Sequence, residues 1–283
     1  MRCRLVAVLA CGLWLLLVGR VQACGIEGPA CEVALGSYRI ALPETAPPEA
    51  GYPALLFFHG AGGTGARTLD NKAMVDTFLE RGWAVIAPDG LMRPNSNFGP
   101  GWSFLPSRPA QRDELAFARE ILADAADQHG IDRASVLMSG FSIGGSLVWY
   151  LACRDPSVAT AYAPVAGAFW RPHPEVGACA GPLRLLHTHG WRDQTVPLEG
   201  RPLRSADILQ GDVFHGLLIL RDANGCEGLR ADAYDTDGPF WQRWWTRCTE
   251  GSALELALHP GGHVVPEGWA DLALDWYGRV TDD

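Results

Sequence analysis

The sequence reads SVLMSGFSIGGSLVWYLAC from Ser135 to Cys153, which predicts an apolar strand, a glycine-rich turn and an apolar helix. Within it, Gly140-Phe141-Ser142-Ile143-Gly144 matches the pattern G-x-S-x-G. Between a strand and a helix, this pattern makes a sharp turn that lifts the serine hydroxyl above the sheet, and the glycines leave room for a strained backbone. The alternative is a turn whose serine only caps the helix. The surrounding strand and helix favour Ser142 as a nucleophile.

A serine nucleophile needs a general base and an acidic residue that orients the base. After a turn of this type, the acid follows the serine in the chain and the histidine comes last. Asp193 lies just beyond one predicted strand, and His263 lies just beyond the last one, in Pro260-Gly261-Gly262-His263. Open α/β sheets place their sites at these strand ends. We therefore predict a catalytic triad of Ser142, Asp193 and His263.

Other titratable residues fit these two roles less well. His187 and His189 precede the proposed acid, which is the wrong order. His259 closes the last predicted strand and also fits a core histidine. Asp212 and Asp222 are alternative acids without a strand end before them.

A second glycine-rich turn, His59-Gly60-Ala61-Gly62-Gly63, follows another predicted strand. Its backbone N–H groups can point at a substrate oxygen, so we expect the Ala61 N–H to form one arm of an oxyanion hole. The N–H of Ile143, the residue after the nucleophile, supplies the second arm. A phosphate-binding loop is the alternative, but the segment lacks the Lys-Ser/Thr pair of that motif.

Apolar runs typical of buried strands alternate with helical spacings along the whole chain. The predicted strands are 37–42, 54–58, 84–87, 135–138, 161–166, 183–187 and 254–258, and the predicted helices are 72–81, 113–128, 143–153 and 269–277. This alternation predicts an α/β fold with a mostly parallel central sheet and helices on both faces. Residues 199–250 have a mixed pattern that predicts a less regular insertion. Without a linker or repeat, we expect residues 24–283 to form a single catalytic domain.

The composition narrows the function further. The 283 residues carry a net charge of −9 and are 48% hydrophobic, which excludes intrinsic disorder. An acidic chain repels a phosphate backbone, so we expect no nucleic-acid partner. A neutral or apolar substrate fits better.

The N-terminus has the pattern of an export signal. Residues 1–23 combine Arg2 and Arg4, an apolar run from Leu5 to Val18 and the small-residue end Val21-Gln22-Ala23. The apolar run is shorter than the roughly 20 residues of a membrane span, and no later stretch is long and apolar enough. We predict a secreted protein, extracellular or periplasmic. A lipid anchor on Cys24 is the alternative.

Six cysteines remain beyond residue 23, and an even number in an exported chain predicts disulfides. Fifteen pairings are open, and pairing of sequence neighbours would join Cys24 to Cys31, Cys153 to Cys179 and Cys226 to Cys248. A zinc site would need closely spaced C-x-x-C pairs, which the chain lacks. Free thiols are the remaining alternative.

Several short segments between residues 31 and 277 occur together: Gly36-Ser37-Tyr38-Arg39 through Leu42-Pro43, His59 to Gly63, Gly140 to Gly145, Ala163 to Gly167, His189 to Pro197, Asn224-Gly225-Cys226 and Gly261-Gly262-His263. In this combination the chain resembles the polyhydroxybutyrate depolymerase-like esterases of the α/β-hydrolase superfamily. These are related to the family-1 carbohydrate esterases, such as feruloyl and acetylxylan esterases. The resemblance implies an α/β-hydrolase fold and acyl transfer through a serine ester, with the triad at the positions named above.

The resemblance also implies that a small-molecule or oligomeric ester is the substrate. We expect no metal or other cofactor, because no His/Asp/Glu cluster has the spacing of metal ligands and a serine triad needs none. Trp102, in Gly101-Trp102-Ser103-Phe104, matches a tryptophan-rich segment near the substrate cleft of such enzymes, with core packing as the alternative. Extracellular polymer depolymerases carry a linker and a separate polymer-binding domain, and from this sequence we expect neither. Two alternatives stay open, a feruloyl or acetylxylan type of esterase and a non-catalytic binding protein on the same fold. The sequence carries no signal for an oligomeric state.

Overall fold

The computed structural model describes residues 24–25, 28–92, 99–105, 107–203 and 208–281. The predicted export signal, residues 1–23, lies outside the described residues. Within them, no helix has the length and apolar character needed to cross a membrane.

The strands and helices follow one another along the whole described chain. The strands are β1 (Cys31–Val33), β2 (Gly36–Ala41), β3 (Tyr52–Phe58), β4 (Ala84–Pro88), β5 (Leu91–Met92), β6 (Pro100–Gly101), β7 (Ile131–Phe141), β8 (Ala161–Val165), β9 (Trp170–Arg171), β10 (Arg184–Gly190), β11 (Leu209–Gln210), β12 (Ala233–Asp235), β13 (Trp241–Trp245) and β14 (Ala253–His259). The α-helices are α1 (Gly65–Leu69), α2 (Lys72–Glu80), α3 (Glu114–His129), α4 (Ile143–Arg154), α5 (Val213–Ala223) and α6 (Trp269–Thr281).

One large sheet organises the described residues, with the strand order β1-β2-β4-β3-β7-β8-β10-β14-β13-β12. The middle strands, from β4 to β14 in that order, pair in parallel. Two strands at each edge pair antiparallel. The parallel strands are almost entirely buried, as continuous apolar runs require. The predicted mostly parallel α/β sheet is confirmed.

Helices cover both faces of this sheet. In β3, Leu56 and Phe58 face one apolar core, which also contains buried residues of α3, α4 and α5. Leu55 and Phe57 face a second core together with α2 and α6. This alternation is the two-residue period of a strand buried on both sides. Because the helices cover the two faces, the C-terminal edge of the parallel strands carries only loops.

Residues 199–250 have less helix and strand than the rest of the described chain, as their mixed sequence pattern predicts, but the elements that they do contain join the core and the main sheet. The segment contains α5, whose Leu217 and Leu220 are buried in the first core. It also contains the hairpin β12–β13, which extends the main sheet beyond β14. The mixed pattern arises because β12 is at the sheet edge and exposed. An edge strand lacks the apolar run that marks the central strands.

Three disulfides join Cys24 to Cys31, Cys153 to Cys179 and Cys226 to Cys248. This is the pairing of sequence neighbours. The first bridge uses the Cys24 sulfur, the atom that the predicted lipid-anchor alternative would also use. His129 Nε2 lies 3.5 Å from the Cys24 sulfur, but both cysteines of this cluster are oxidised and offer no thiolate to a metal.

Replacing Cys153 and Cys179 together with alanine is expected to lower the free energy of unfolding by about 3.5 kcal/mol, because the unfolded chain regains the entropy of an open loop. The sequence separation of this pair is 26 residues. The matched control removes Cys24 and Cys31, whose separation is only 7 residues, and should cost about 2.5 kcal/mol. Urea unfolding measures both. An unchanged midpoint for the first variant, or a larger loss in the control, would contradict this expectation.

Candidate active site

The nucleophile candidate lies on a strained turn between β7 and α4. Ser142 has φ 59° and ψ −120°, a backbone conformation that residues other than glycine rarely adopt. The two flanking positions have no room for a side chain. A Cβ on Gly144 would lie 2.1 Å from the Phe58 carbonyl oxygen, and one on Gly140 would lie 2.6 Å from the Gly144 carbonyl carbon. The G-x-S-x-G pattern therefore reports close packing of this turn against β3.

Two neighbouring loops bring an acid and a histidine to the same sheet edge. Asp193 follows β10 and His263 follows β14, and these strands are adjacent and parallel. Backbone hydrogen bonds connect the loops, from Trp191 N to His259 O at 2.7 Å and from Arg192 N to Gly261 O at 2.9 Å. The relative position of the two side chains is thus fixed by main-chain contacts.

The structure brings the three predicted triad residues together. His263 Nε2 lies 2.9 Å from Ser142 Oγ, and His263 Nδ1 lies 2.6 Å from Asp193 Oδ2. The His263 ring packs on Phe141, with ring centroids 4.7 Å apart. The arrangement matches the serine–base–acid geometry of nucleophilic catalysis.

The Asp193 carboxylate is buried but well supplied with donors. Its Oδ1 accepts hydrogen bonds from the N–H groups of Thr195 and Val196, both at 2.9 Å. Burial by itself would raise the pKa of Asp193, but the hydrogen bonds from His263 and Val196 hold this pKa below its ordinary value. Asp193 therefore stays ionised at neutral pH and faces His263 as an anion.

The two predicted oxyanion-hole residues line the same cleft as Ser142. Ile143 is the first residue of α4, where a helical N–H has no partner within the helix. In the other loop, Gly62 N donates to Pro100 O and Gly63 N donates to Gly60 O. The N–H of Ala61, the residue before Gly62, makes no such bond within the described residues. Neither predicted N–H thus has a backbone acceptor in the described part of the chain, as an oxyanion hole requires.

The sequence matches the α/β hydrolase fold family over residues 53–210, more than half of the chain. The chain belongs to the α/β hydrolase fold family.

Similar curated proteins include a putative esterase NocK of Nocardia uniformis subsp. tsuyamanensis, 29% identical over 60% of this chain and 49% of its own length. Feruloyl esterase B of Piromyces equi is 24% identical over 76% of this chain and 40% of its own length. Feruloyl esterase D of Neurospora crassa is 25% identical over 63% of this chain and 52% of its own length. The chain spans about half the length of the curated relatives it matches.

Solved structures share the fold over most of the chain. An acetyl xylan esterase from Aspergillus awamori has a TM-score of 0.65 at 15% identity and covers 86% of this chain and 93% of its own. A Bacillus cereus carboxylesterase has a TM-score of 0.54 at 17% identity and covers 87% of this chain and 95% of its own.

In this α/β hydrolase, Trp102 does not have the substrate-contacting position that the sequence predicted. Its side chain is fully buried, and its indole N–H donates to the carbonyl oxygen of His59 at 2.8 Å. The Trp102 ring also packs on the His59 ring, with centroids 4.6 Å apart. Trp102 therefore supports the glycine-rich loop from below. A sequence motif cannot distinguish a tryptophan beneath a cleft from one that lines it.

A cleft of about 250 Å³ opens in front of Ser142. Its walls are mainly apolar and come from segments that are distant in sequence, namely Phe104, Leu105, Trp170, Val196, Leu203 and Ile208. Arg108 and Arg201 also line it. Phe104 belongs to the segment Gly101-Trp102-Ser103-Phe104 that the sequence placed near the cleft. Sequence reasoning missed the other residues, because no local pattern marks them. A larger cavity of about 580 Å³ also contacts Phe104 but does not include Ser142.

The alternative acids and bases lie in other environments. Asp212 caps α5 through the N–H of His215 at 2.9 Å. His259 is buried, and its Nδ1 accepts a hydrogen bond from Gly261 N at 3.1 Å. His187 and His189 are fully buried beneath the Asp193 loop. None of these has a hydrogen bond to Ser142 within the described residues.

Proposed function

We propose that this chain is a secreted serine esterase that cleaves aromatic acyl groups, of the hydroxycinnamoyl type, from carbohydrate esters. The single observation that carries the esterase function is the continuous contact from Ser142 Oγ through His263 to the buried Asp193 carboxylate. An intact set of this kind argues against a non-catalytic binding role. Residues 24–283 act in this proposal as one catalytic domain.

The proposed reaction has two halves that share the same residues. His263 takes the Ser142 hydroxyl proton while Ser142 Oγ attacks the ester carbonyl carbon. The N–H groups of Ala61 and Ile143 stabilise the resulting oxyanion. His263 then gives its proton to the departing alcohol. Water repeats the sequence on the serine ester and releases the acid. Asp193 holds the imidazole and stabilises its charged form throughout.

The size and lining of the cleft, together with the similar curated proteins, support an aromatic acyl group in the proposed substrate. The cleft volume is about 250 Å³. Since one water occupies roughly 30 Å³ in the liquid, this cleft has the room of about eight waters, well beyond the three heavy atoms of an acetyl group. Apolar walls that include Trp170 and Phe104 suit an aromatic ring. Several similar curated proteins are feruloyl esterases. These findings favour the feruloyl alternative over a polyhydroxybutyrate depolymerase.

Three disulfides support a location outside the reducing cytosol. The same bridges agree with the predicted export of the chain. An oxidising compartment keeps all of these cysteines paired, so the proposed place of action is extracellular or periplasmic.

Hydrolysis of a panel of soluble esters tests the proposed substrate class. The panel contains methyl ferulate, p-nitrophenyl acetate, p-nitrophenyl octanoate and a hydroxybutyrate oligomer. We expect kcat/KM for methyl ferulate to exceed that for the hydroxybutyrate oligomer at least tenfold, because only the aromatic acyl group fills the apolar cleft.

Ile208→Trp, which fills the wall of the cleft, sharpens this test. It should reduce turnover of methyl ferulate about tenfold or more, while p-nitrophenyl acetate, which needs little of the cleft, changes much less. Leu229→Trp is the matched control, since Leu229 is 72% exposed and does not line the cleft. Preference for the oligomer, or equal losses for both esters with Ile208→Trp, would contradict the proposed acyl group.

A further inference from the structure

A chain of buried hydrogen bonds runs below the Asp193 loop and is not used by the triad itself. Trp149 Nε1 lies 3.2 Å from His187 Nδ1, and His187 Nε2 lies 2.9 Å from His189 Nδ1. His189 Nε2 lies 2.7 Å from the carbonyl oxygen of Val196. Trp149, His187 and His189 are all fully buried. These hydrogen bonds therefore connect α4, through β10, to the loop that carries Asp193.

The two ends of this chain fix the direction of every hydrogen bond in it. An indole N–H can only donate, so His187 Nδ1 accepts and His187 Nε2 carries the proton. His187 then donates to His189 Nδ1, which leaves the proton of His189 on Nε2. At the far end, the Val196 carbonyl can only accept and requires the same arrangement. Both histidines are thereby held as the Nε2–H tautomer.

Burial keeps both rings neutral, since it lowers the pKa of His187 well below its ordinary value and also lowers the pKa of His189. The titratable groups that act on His189 are Asp193, His263, His259 and His187. Of these, only Asp193 carries a negative charge. A neutral ring with a fixed N–H is the form that this environment selects.

The fixed N–H of His189 lies directly under the acid. Asp193 Oδ2, the oxygen that faces His263, is 3.5 Å from His189 Nε2. The carbonyl that accepts the His189 proton belongs to Val196, whose own N–H holds Asp193 Oδ1. In the opposite tautomer, a lone pair on His189 Nε2 would face both the Val196 carbonyl oxygen and the Asp193 carboxylate. This lone pair would repel both oxygens.

We propose that His189 is a positioning residue for the Asp193 carboxylate, with its tautomer set from Trp149 through His187. Its N–H holds the turn from Asp193 to Val196 through the Val196 carbonyl and places a positive dipole end 3.5 Å or less from the oxygen that faces His263. Its effect on turnover rests on the proposed esterase function. The tautomer itself does not depend on that function.

The tautomer can be measured on the wild-type protein without any substrate. Two-bond ¹H–¹⁵N correlation spectra of uniformly ¹⁵N-labelled protein distinguish Nδ1–H from Nε2–H rings, and the single variants His187→Gln and His189→Gln assign the two signals. We expect the Nε2–H pattern for both rings, unchanged from pH 8 to pH 5.5. An Nδ1–H pattern or a protonated ring for His189 in this range overturns the proposal, whatever the esterase assay shows.

Kinetics test whether His189 acts through Asp193. His189→Leu removes the donor from a site of similar volume, and we expect kcat to fall about tenfold with little change in KM. His189→Gln, which places an N–H near the position of Nε2, should recover part of the loss. The matched control is Thr188→Val on the same strand, since the Thr188 hydroxyl is buried and has no hydrogen-bond partner within the described residues. It should retain wild-type turnover.

A double-mutant cycle separates positioning from a general loss of structure. If His189 acts through the carboxylate, His189→Leu costs about tenfold in the wild-type background but less than about twofold in the Asp193→Asn background. Equal losses in the two backgrounds, or an unchanged kcat for a folded His189→Leu protein, overturn the proposal. If His189→Leu does not fold, the cycle is run with His189→Gln and the spectra above decide the tautomer.

Discussion

Replacing Ser142 with alanine is expected to lower kcat for ester hydrolysis by about 10⁶-fold, as in other serine hydrolases that lose their nucleophile. Alanine has no oxygen to attack the carbonyl carbon, while the amide groups of Ala61 and Ile143 and the apolar cleft remain. The residual hydrolysis should therefore reflect only the rate enhancement that substrate binding and oxyanion stabilisation give without a nucleophile. Steady-state kinetics on the preferred ester, with circular dichroism to show the retained fold, measures this effect.

Ser139→Ala is a matched control for the loss of a buried serine hydroxyl in the same segment. Ser139 lies in β7 and donates a hydrogen bond to the Ala163 carbonyl oxygen at 2.6 Å, away from the cleft. Its replacement should lower the free energy of unfolding by about 1 kcal/mol and leave turnover nearly unchanged. If Ser142→Ala retained more than a small fraction of wild-type turnover, the assignment of the nucleophile would be wrong.

Asp193→Asn is expected to lower kcat by about 10⁴-fold without unfolding the protein. The physical reason lies in the hydrogen bonds of the loop. The N–H groups of Thr195 and Val196 both require an acceptor at the position of Oδ1, so the amide NH₂ of asparagine must turn toward His263. His263 Nδ1 then becomes an acceptor, and its proton moves to Nε2, where it faces Ser142 and blocks general-base catalysis.

The same kinetic assay tests this prediction, with Asp212→Asn as the matched control. The Asp212 carboxylate accepts the capping hydrogen bond from the N–H of His215, a role that an asparagine oxygen also fills, so the replacement should cost little stability and no turnover. A loss of less than about tenfold for Asp193→Asn would mean that another acid supports His263.

Local motifs were enough to identify the three residues that the structure places in contact. Each of Ser142, Asp193 and His263 lies at the end of a buried strand, and their order in the chain follows the superfamily pattern. The apolar runs of β3, β4 and β8 likewise marked the parallel sheet, because a strand buried on both faces needs an uninterrupted apolar sequence.

The cleft could not be predicted in the same way, because its walls come together only in the folded chain. Trp170 belongs to β9, which pairs with β11 and thereby meets Gln210. No local spacing announces this pairing. The tryptophan that sequence did single out, Trp102, lies beneath the glycine-rich loop and makes no contact with the cleft. Substrate-contacting residues on separate loops require coordinates to be recognised.

The buried chain from Trp149 to His189 was also hidden in the sequence. His187 and His189 precede the acid, so the order of the motif excluded them as the catalytic base, and nothing in the pattern suggested another role. The proposed positioning role of these histidines can be inferred only once the direction of each hydrogen bond is known.

The most direct test of the esterase mechanism is to trap the acyl-enzyme. Protein mixed rapidly with methyl ferulate and quenched in acid within milliseconds is analysed by intact mass spectrometry and peptide mapping. We expect a feruloyl adduct on the peptide that contains Ser142, absent from the Ser142→Ala protein. An adduct on any other residue, or none during turnover at a rate that should accumulate it, would show that Ser142 is not the nucleophile.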